Sequence, residues 1–417
     1  MRKLILFLIT CMAMISFLAN PAPESIELLD LGLIGIPIFI GLLCIGSTRT
    51  YRLYPSQYPL CLALGLYLSY LLLSALIGLM QGAPILNILR SIGPYLDFFP
   101  LILLGLMPRQ ILTPLTLGLI LLSVGLVQIS YLSYLYFSHA SQINNTMGVL
   151  INRITFLDPR TTLPFLIAAP ILPVILFSST KKRILLNITA ISLIFLGLFA
   201  GMITLTRAIF LSIIVTWIVF IALYFYYQLR LKLFSFSAFA KKISFYLIGL
   251  IIAILLISLI PKVHLIELGL FSRFSNQGAA HADYSNGRLY DEWLPAFSAW
   301  AQSGMVGWFF GIGAGNTFAL PTGEERTYIH NLSIYSLVYG GFYGLFACVT
   351  LYLTLFKTLV NRALQRQDIG YLVFAALLIG MFFYGQLFAV HKVLAFNMML
   401  FLMSALALME NTKDVRD

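Results

Sequence analysis

Apolar residues dominate this chain in long runs, and polar residues are confined to the stretches between them. A run of about 20 apolar residues is long enough to cross the hydrocarbon core of a bilayer as a helix. On that criterion the pattern predicts twelve segments, near residues 3–20, 31–47, 59–80, 93–107, 111–135, 163–180, 184–204, 208–229, 243–260, 332–356, 369–389 and 393–409. The expected fold class is all-α: a polytopic membrane protein with 1–417 as a single integral membrane domain. One large loop, about 261–331, lies between the ninth and tenth helices.

Composition agrees with this map. The chain is 60% hydrophobic and only 10% charged, with a mean hydropathy of +0.95, which excludes an ordinary soluble domain. Charge placement supplies the orientation. With the N-terminus inside, 17 of the 26 Lys and Arg residues and four of the 15 acidic residues fall on the cytoplasmic side. The positive-inside rule selects that arrangement, with both termini cytoplasmic. The net charge of +11 is then a topology signal and gives no reason to invoke nucleic acid.

Met1-Arg2-Lys3 and the apolar run to Ala19 share features with a signal peptide. An uncleaved first helix is the better reading, because it leaves the following basic loops on the correct side. Cys11, Cys44, Cys61 and Cys348 all fall in membrane segments, so neither a disulfide framework nor a metal cluster is expected.

Inner loops are short except 230–242, whose alternating basic and aromatic residues suit an anionic membrane surface. Outer loops are longer, and all five histidines map to the outer face. Within the largest loop, 288–303 reads as an amphipathic helix with Leu289, Trp293, Phe297 and Trp300 on one stripe and Asp291 and Glu292 elsewhere. Such a helix is expected to rest on the membrane surface with its tryptophans at headgroup level. Gly311-Ile-Gly-Ala-Gly315-Asn316 lacks the Gly-Lys-Ser/Thr ending of a phosphate loop and reads as a flexible turn.

Chemistry centres on His330. Histidine ordinarily titrates near neutrality, and this one stands where the large loop enters the tenth helix. Asn331 is a favoured N-cap, so His330 sits at a helix N-terminus, where the dipole disfavours the imidazolium. A neutral imidazole there is suited to accept a proton. Taken alone, the plainer reading is an interfacial histidine. Gly341 and Gly344 follow at a depth that fits close helix packing.

Arg207 follows Thr206 in a tight outer turn at the start of the eighth helix. A guanidinium beside free backbone N–H groups makes a phosphate site, although an arginine snorkelling to headgroups is the plain alternative. Arg288 opens the amphipathic loop helix. Asp97 stands near the outer end of the fourth helix, and intramembrane carboxylates are functional suspects. Arg90, Arg153 and Arg160 are further outer cations with weaker individual claims.

Three elements in this order resemble the O-antigen ligase and polymerase superfamily of bacterial membrane glycosyltransferases. Thr204-Leu-Thr-Arg207-Ala208 is similar to the family's Thr/Ser-x-Thr/Ser-Arg-Ala/Gly element. Gly287-Arg288-Leu289 resembles the loop element that carries a second arginine. His330-Asn331, with Gly341 and Gly344 at their spacing, fits the ligase motif. The chain departs from the pattern at Tyr335 and Tyr339, where many relatives place an acidic residue, and at Asp158-Pro159-Arg160, where Asn-Pro-Asn is common.

The resemblance covers essentially the whole chain. It implies transfer of a glycan from an undecaprenyl-diphosphate carrier to an acceptor hydroxyl, on the lipid A core or another glycan, at the periplasmic face of the bacterial inner membrane. It implies no cofactor and no metal. Arg207 and Arg288 would hold the diphosphate and His330 would activate the acceptor, with Asn331, Asp97, Arg153 and Arg160 in support. The same family includes polymerases that join lipid-linked repeat units. A twelve-helix transporter is a third reading, disfavoured by unlike halves and scarce mid-membrane charge.

Overall fold

In the computed structural model, the described residues are 1–18, 28–47, 53–107, 110–138, 207–259, 288–390 and 393–409, with a few isolated positions between 174 and 199. The described chain is almost entirely helical, as hydrocarbon requires of a backbone that must satisfy its own polar groups. In order, the helices are α1 (Arg2–Leu18), α2 (Leu28–Ser47), α3 (Tyr58–Met80), α4 (Ile85–Leu96), a short α5 (Ile102–Gly105), α6 (Pro114–Ser138), α7 (Arg207–Arg230) and α8 (Phe236–Ser258). The large loop then contributes a π-helical turn (Arg288–Trp293), α9 (Leu294–Gln302), α10 (Gly304–Phe310) and a hairpin of β1 (Phe318–Ala319) and β2 (Glu325–Arg326). The chain ends with α11 (Leu332–Arg366), α12 (Gly370–Leu387) and α13 (Leu394–Leu408).

Each expected membrane segment that falls on described residues coincides with a helix, and among the described residues six helical stretches are long and apolar enough to cross a membrane. The expected segments at 163–180 and 184–204 lie outside the described residues.

Three boundaries differ from expectation: the tenth segment runs on to Arg366, past its expected end near 356, and two starts move. The fourth segment starts at Ile85, not near 93, so Arg90 belongs to a helix and not to a loop. Asn87, Arg90 and Ser91 interrupt the apolar run there, which hides an amphipathic first half from a hydropathy reading. Asp97 ends α4 and donates its backbone N–H to Gly93 O at 2.9 Å. The chain then continues through a 3-10 turn at Phe99–Leu101 into α5, within one apolar stretch from Ile85 to Gly105. Asp97 therefore stands at a break midway along the Ile85–Gly105 stretch, not near the outer end of the fourth membrane segment. Prolines at 94 and 100 account for the break, since neither ring can donate to the helix ladder. The second correction concerns 230–242: only a turn separates α7 from α8, and Lys241 and Lys242 lie inside α8.

The chain divides into two compact units. The first comprises Met1–Thr113, Asp283–Thr358 and Phe382–Asp417. At its centre runs α13, buried along its whole length from Ala395 to Leu408 and packed against α1, α4 and α5. Gly105 permits the closest approach, since a Cβ there would stand 2.6 Å from Ala405 O and from Leu408 Cβ. The end of α13 is held by Gln57 Nε2, which donates to Leu408 O at 2.5 Å. The second unit comprises Pro114–Ala282 and Leu359–Met381. There Asp368 Oδ1 accepts from Gly370 N–H at 2.8 Å and turns the chain into α12.

Candidate functional site

The site belongs to the first unit and is built from the loop upward. Ile329, fully buried, packs among Ala296, Ile312, Phe318, Leu320, Tyr335, Val338 and Tyr339. Burying one such side chain is worth about 1.5–3 kcal/mol, so it pins the irregular stretch between β2 and His330. The hairpin pairs Phe318 with Arg326 and Ala319 with Glu325, and Leu320 N–H donates to Glu324 O across it at 2.8 Å. Hairpin and anchor together fix where residues 326–330 run.

Asn331 caps α11: its Oδ1 accepts from Ile334 N–H at 2.9 Å. Its amide also donates to Gln386 O at 3.0 Å, tying the helix start to the end of α12. His330 therefore stands immediately before a capped helix.

The decisive neighbour is Glu292, contributed by the π-helical turn. It is 3% exposed, and both carboxylate oxygens hold His330. Oε1 accepts the backbone N–H of His330, and Oε2 lies 2.8 Å from the ring Nδ1. A carboxylate can only accept, so the Nδ1 proton points to Glu292 and the second ring nitrogen, Nε2, is the one left for chemistry. The imidazole is about one-fifth exposed at its side chain. Tyr328 and Phe388 flank it edge-on, with ring centroids 5.3 and 5.6 Å away.

Arg326 completes the cluster. Its Nη1 lies 3.6 Å from Glu292 Oε2, and it donates to Glu324 at 3.1 and 3.3 Å. The Glu324 carboxylate, first among the influences on it, holds this guanidinium in its charged form more firmly than usual. Its Cζ sits over the Tyr328 ring at 5.6 Å.

Sequence reasoning missed Glu292, because it lies off the expected stripe of Leu289, Trp293, Phe297 and Trp300. The buried positions are instead Glu292 and Ala296, with Trp293, Ala299 and Trp300 partly buried beside them and Leu289 exposed. The π turn adds a residue to one turn and takes Leu289 out of register, while the small Ala296 lets the hairpin approach. The one available signal was an acidic residue closing a polar patch just before a long uncharged, aromatic stretch.

Two further expectations are revised. The glycine-rich segment at 311–315 is no flexible turn, because every residue in it is buried. Ile312 N–H donates to Val338 O at 2.9 Å, and Ala314 N–H donates to Ser74 O at 2.8 Å. Gly341 is more than a packing glycine: it breaks α11, with φ 63° and ψ −161°. A Cβ there would collide with the backbone of Phe309 and Phe310. The carbonyls released by the break are taken up, Val338 O by Ile312 and Tyr339 O by Ser74 Oγ at 2.7 Å. Gly344 keeps its packing role, against Tyr70 and Ser336 O.

Arg207 and Arg288 are the first residues of α7 and of the π turn, but their side chains lie outside the described residues, as do Arg153, Arg160 and the other four histidines. Asp97 is at the α4 break described above. Among the described residues no group of His, Cys, Asp and Glu could hold a metal ion. A scan against protein-family models finds no match for this chain, and a search of curated proteins finds none either.

Proposed function

We propose that this protein is a membrane glycosyltransferase of the O-antigen ligase type, with His330 as general base. On this reading it spans the bacterial inner membrane about twelve times, with both termini cytoplasmic and the His330 site facing the periplasm. The donor is a glycan on an undecaprenyl-diphosphate carrier, and the acceptor is a hydroxyl of the lipid A core or a similar glycan.

The observation that supports it is the double hold of Glu292 on His330. A base must present a lone pair in a defined direction, and a carboxylate on Nδ1 does this by fixing the tautomer. His330 Nε2 takes the proton of the acceptor hydroxyl as that oxygen attacks the anomeric carbon. The bond from sugar to diphosphate breaks, and the diphosphate leaves as an anion. Glu292 stabilises the imidazolium that forms, offsetting the unfavourable helix N-terminus. Arg207 and Arg288 stabilise the departing negative charge.

A break in a membrane helix also suits a transporter. Here the freed carbonyls of Val338 and Tyr339 already have donors, so the break at Gly341 favours packing over ion coordination. The test is in vitro transfer from a purified lipid-diphosphate donor, run with and without excess chelator. Near-normal turnover by both His330→Ala and Arg207→Ala would refute the assignment. A deletion strain separates ligase from polymerase: ligase loss accumulates long chains on the carrier, and polymerase loss leaves single repeats.

A further inference from the structure

The geometry points to residues 294–315 as a re-entrant segment inserted into the bilayer, with α10 laid against lipid acyl chains. Four observations carry this. From Trp293 to Gly323 there are 31 consecutive residues without one charge, which is unusual for a loop in water.

Depth is the second. Ala314 N–H bonds Ser74 O, and a Cβ on Gly78 would strike Ala314 O. Ser74 lies six residues inside Met80, the last residue of α3, which is about 9 Å at 1.5 Å per residue. The loop therefore descends below the end of a helix long and apolar enough to cross the membrane.

Third, α10 turns apolar side chains outward: Met305 and Val306 are each 72% exposed and Phe309 is 54%. This surface continues without interruption onto α11, where Phe342, Phe346 and Leu353 are exposed on one helical stripe. The Phe309 and Phe342 rings are 6.2 Å apart. The stripe on α11 is the face of a membrane-spanning helix, so what covers it covers α10 as well.

Fourth, the segment meets its own polar needs. Trp308, almost half exposed, donates its indole N–H to Ala301 O at 2.9 Å, and Trp300 donates to Gly307 O at 3.1 Å. Gly311 N–H donates to Gly307 O at 2.7 Å. Outward-facing backbone is helical apart from the turn at Ser303 and Gly304, where the Ser303 backbone N–H and hydroxyl both donate to Trp300 O. The irregular 311–315 is buried in protein, as hydrocarbon requires of non-helical backbone. This goes beyond a helix resting at headgroup level, and it fixes the loop bearing Glu292 to the membrane.

The test is collision accessibility of a nitroxide at Val306→Cys in the full chain, with Cys11, Cys44, Cys61 and Cys348 replaced, in phospholipid nanodiscs. Oxygen should collide several-fold more often than a water-soluble nickel complex, with the reverse at Thr322→Cys. Nickel accessibility at Val306→Cys equal to that at Thr322→Cys would overturn the proposal. So would exclusion of both reagents, which would mean that protein covers α10. If the cysteine-replaced chain does not fold, brominated lipids provide the second measurement on native tryptophans. Emission lost in Trp308→Phe must be the strongly quenched part, and an unquenched Trp308 would be the contrary result.

Discussion

Glu292 holds His330 through two hydrogen bonds, one from the backbone N–H and one from the ring Nδ1 at 2.8 Å. A carboxylate shared in this way fixes the position of the residue and the direction of its ring together. It also gives the histidine an acidic partner from the π-helical turn of the loop.

On the proposed transferase reading, Glu292→Gln should lower the transfer rate while leaving donor affinity nearly intact. A loss of about 10²- to 10⁴-fold in kcat with little change in KM is expected. The independent readout is the ¹⁵N spectrum of His330, which should report a single Nδ1–H tautomer in the native chain and a mixture in the variant. An unchanged tautomer would reduce Glu292 to a packing role.

Asn331→Ala removes both the cap on Ile334 N–H and the bond to Gln386 O. The cap alone is worth about 0.5–2 kcal/mol, and a lower thermal midpoint in detergent should follow. Asn331→Asp keeps the capping oxygen and loses only the amide donor, so it should fall between the two.

Gly341→Ala combines a positive φ with a backbone collision at Phe309 and Phe310. A strained backbone of this kind costs of order 1–3 kcal/mol before any clash, so the expected outcome is poor recovery of monodisperse protein. Gly65→Ala is the control, because nothing lies within 4 Å of the added methyl. Equal yields of the two variants would contradict the break as a structural requirement.

Ser74→Ala deprives Tyr339 O of its side-chain donor at the helix break. Hydrogen bonds between membrane helices average about 0.6 kcal/mol and reach about 1.7. This one also satisfies a carbonyl that the helix has released, so the upper end is expected. Chemical unfolding in mixed micelles measures it.

The helices were legible in the sequence because a bilayer makes length and apolarity sufficient. Two starts misled where polar residues lie inside a helix, as at Asn87 and Arg90, and at Lys241 and Lys242. His330 and its capping Asn331 were legible as well, since an N-cap is a local rule. Glu292 was not, because the π turn alters the register of its helix and its partner is 38 residues away. The glycine-rich turn was misread for a related reason. Its conformation is set by α3 and by the break in α11, neither of which is near it in sequence.

By itself, then, the sequence determined which of the described stretches are helical and which residue at a helix start could accept a proton. Both follow from interactions within a few residues or with the solvent. Tertiary structure alone decided that Glu292 holds His330, that Arg326 stands beside them, and that Gly341 breaks its helix where residues 309–315 come to lie. Those outcomes depend on which distant surfaces meet, and hydrogen-bond geometry is specified only once they do.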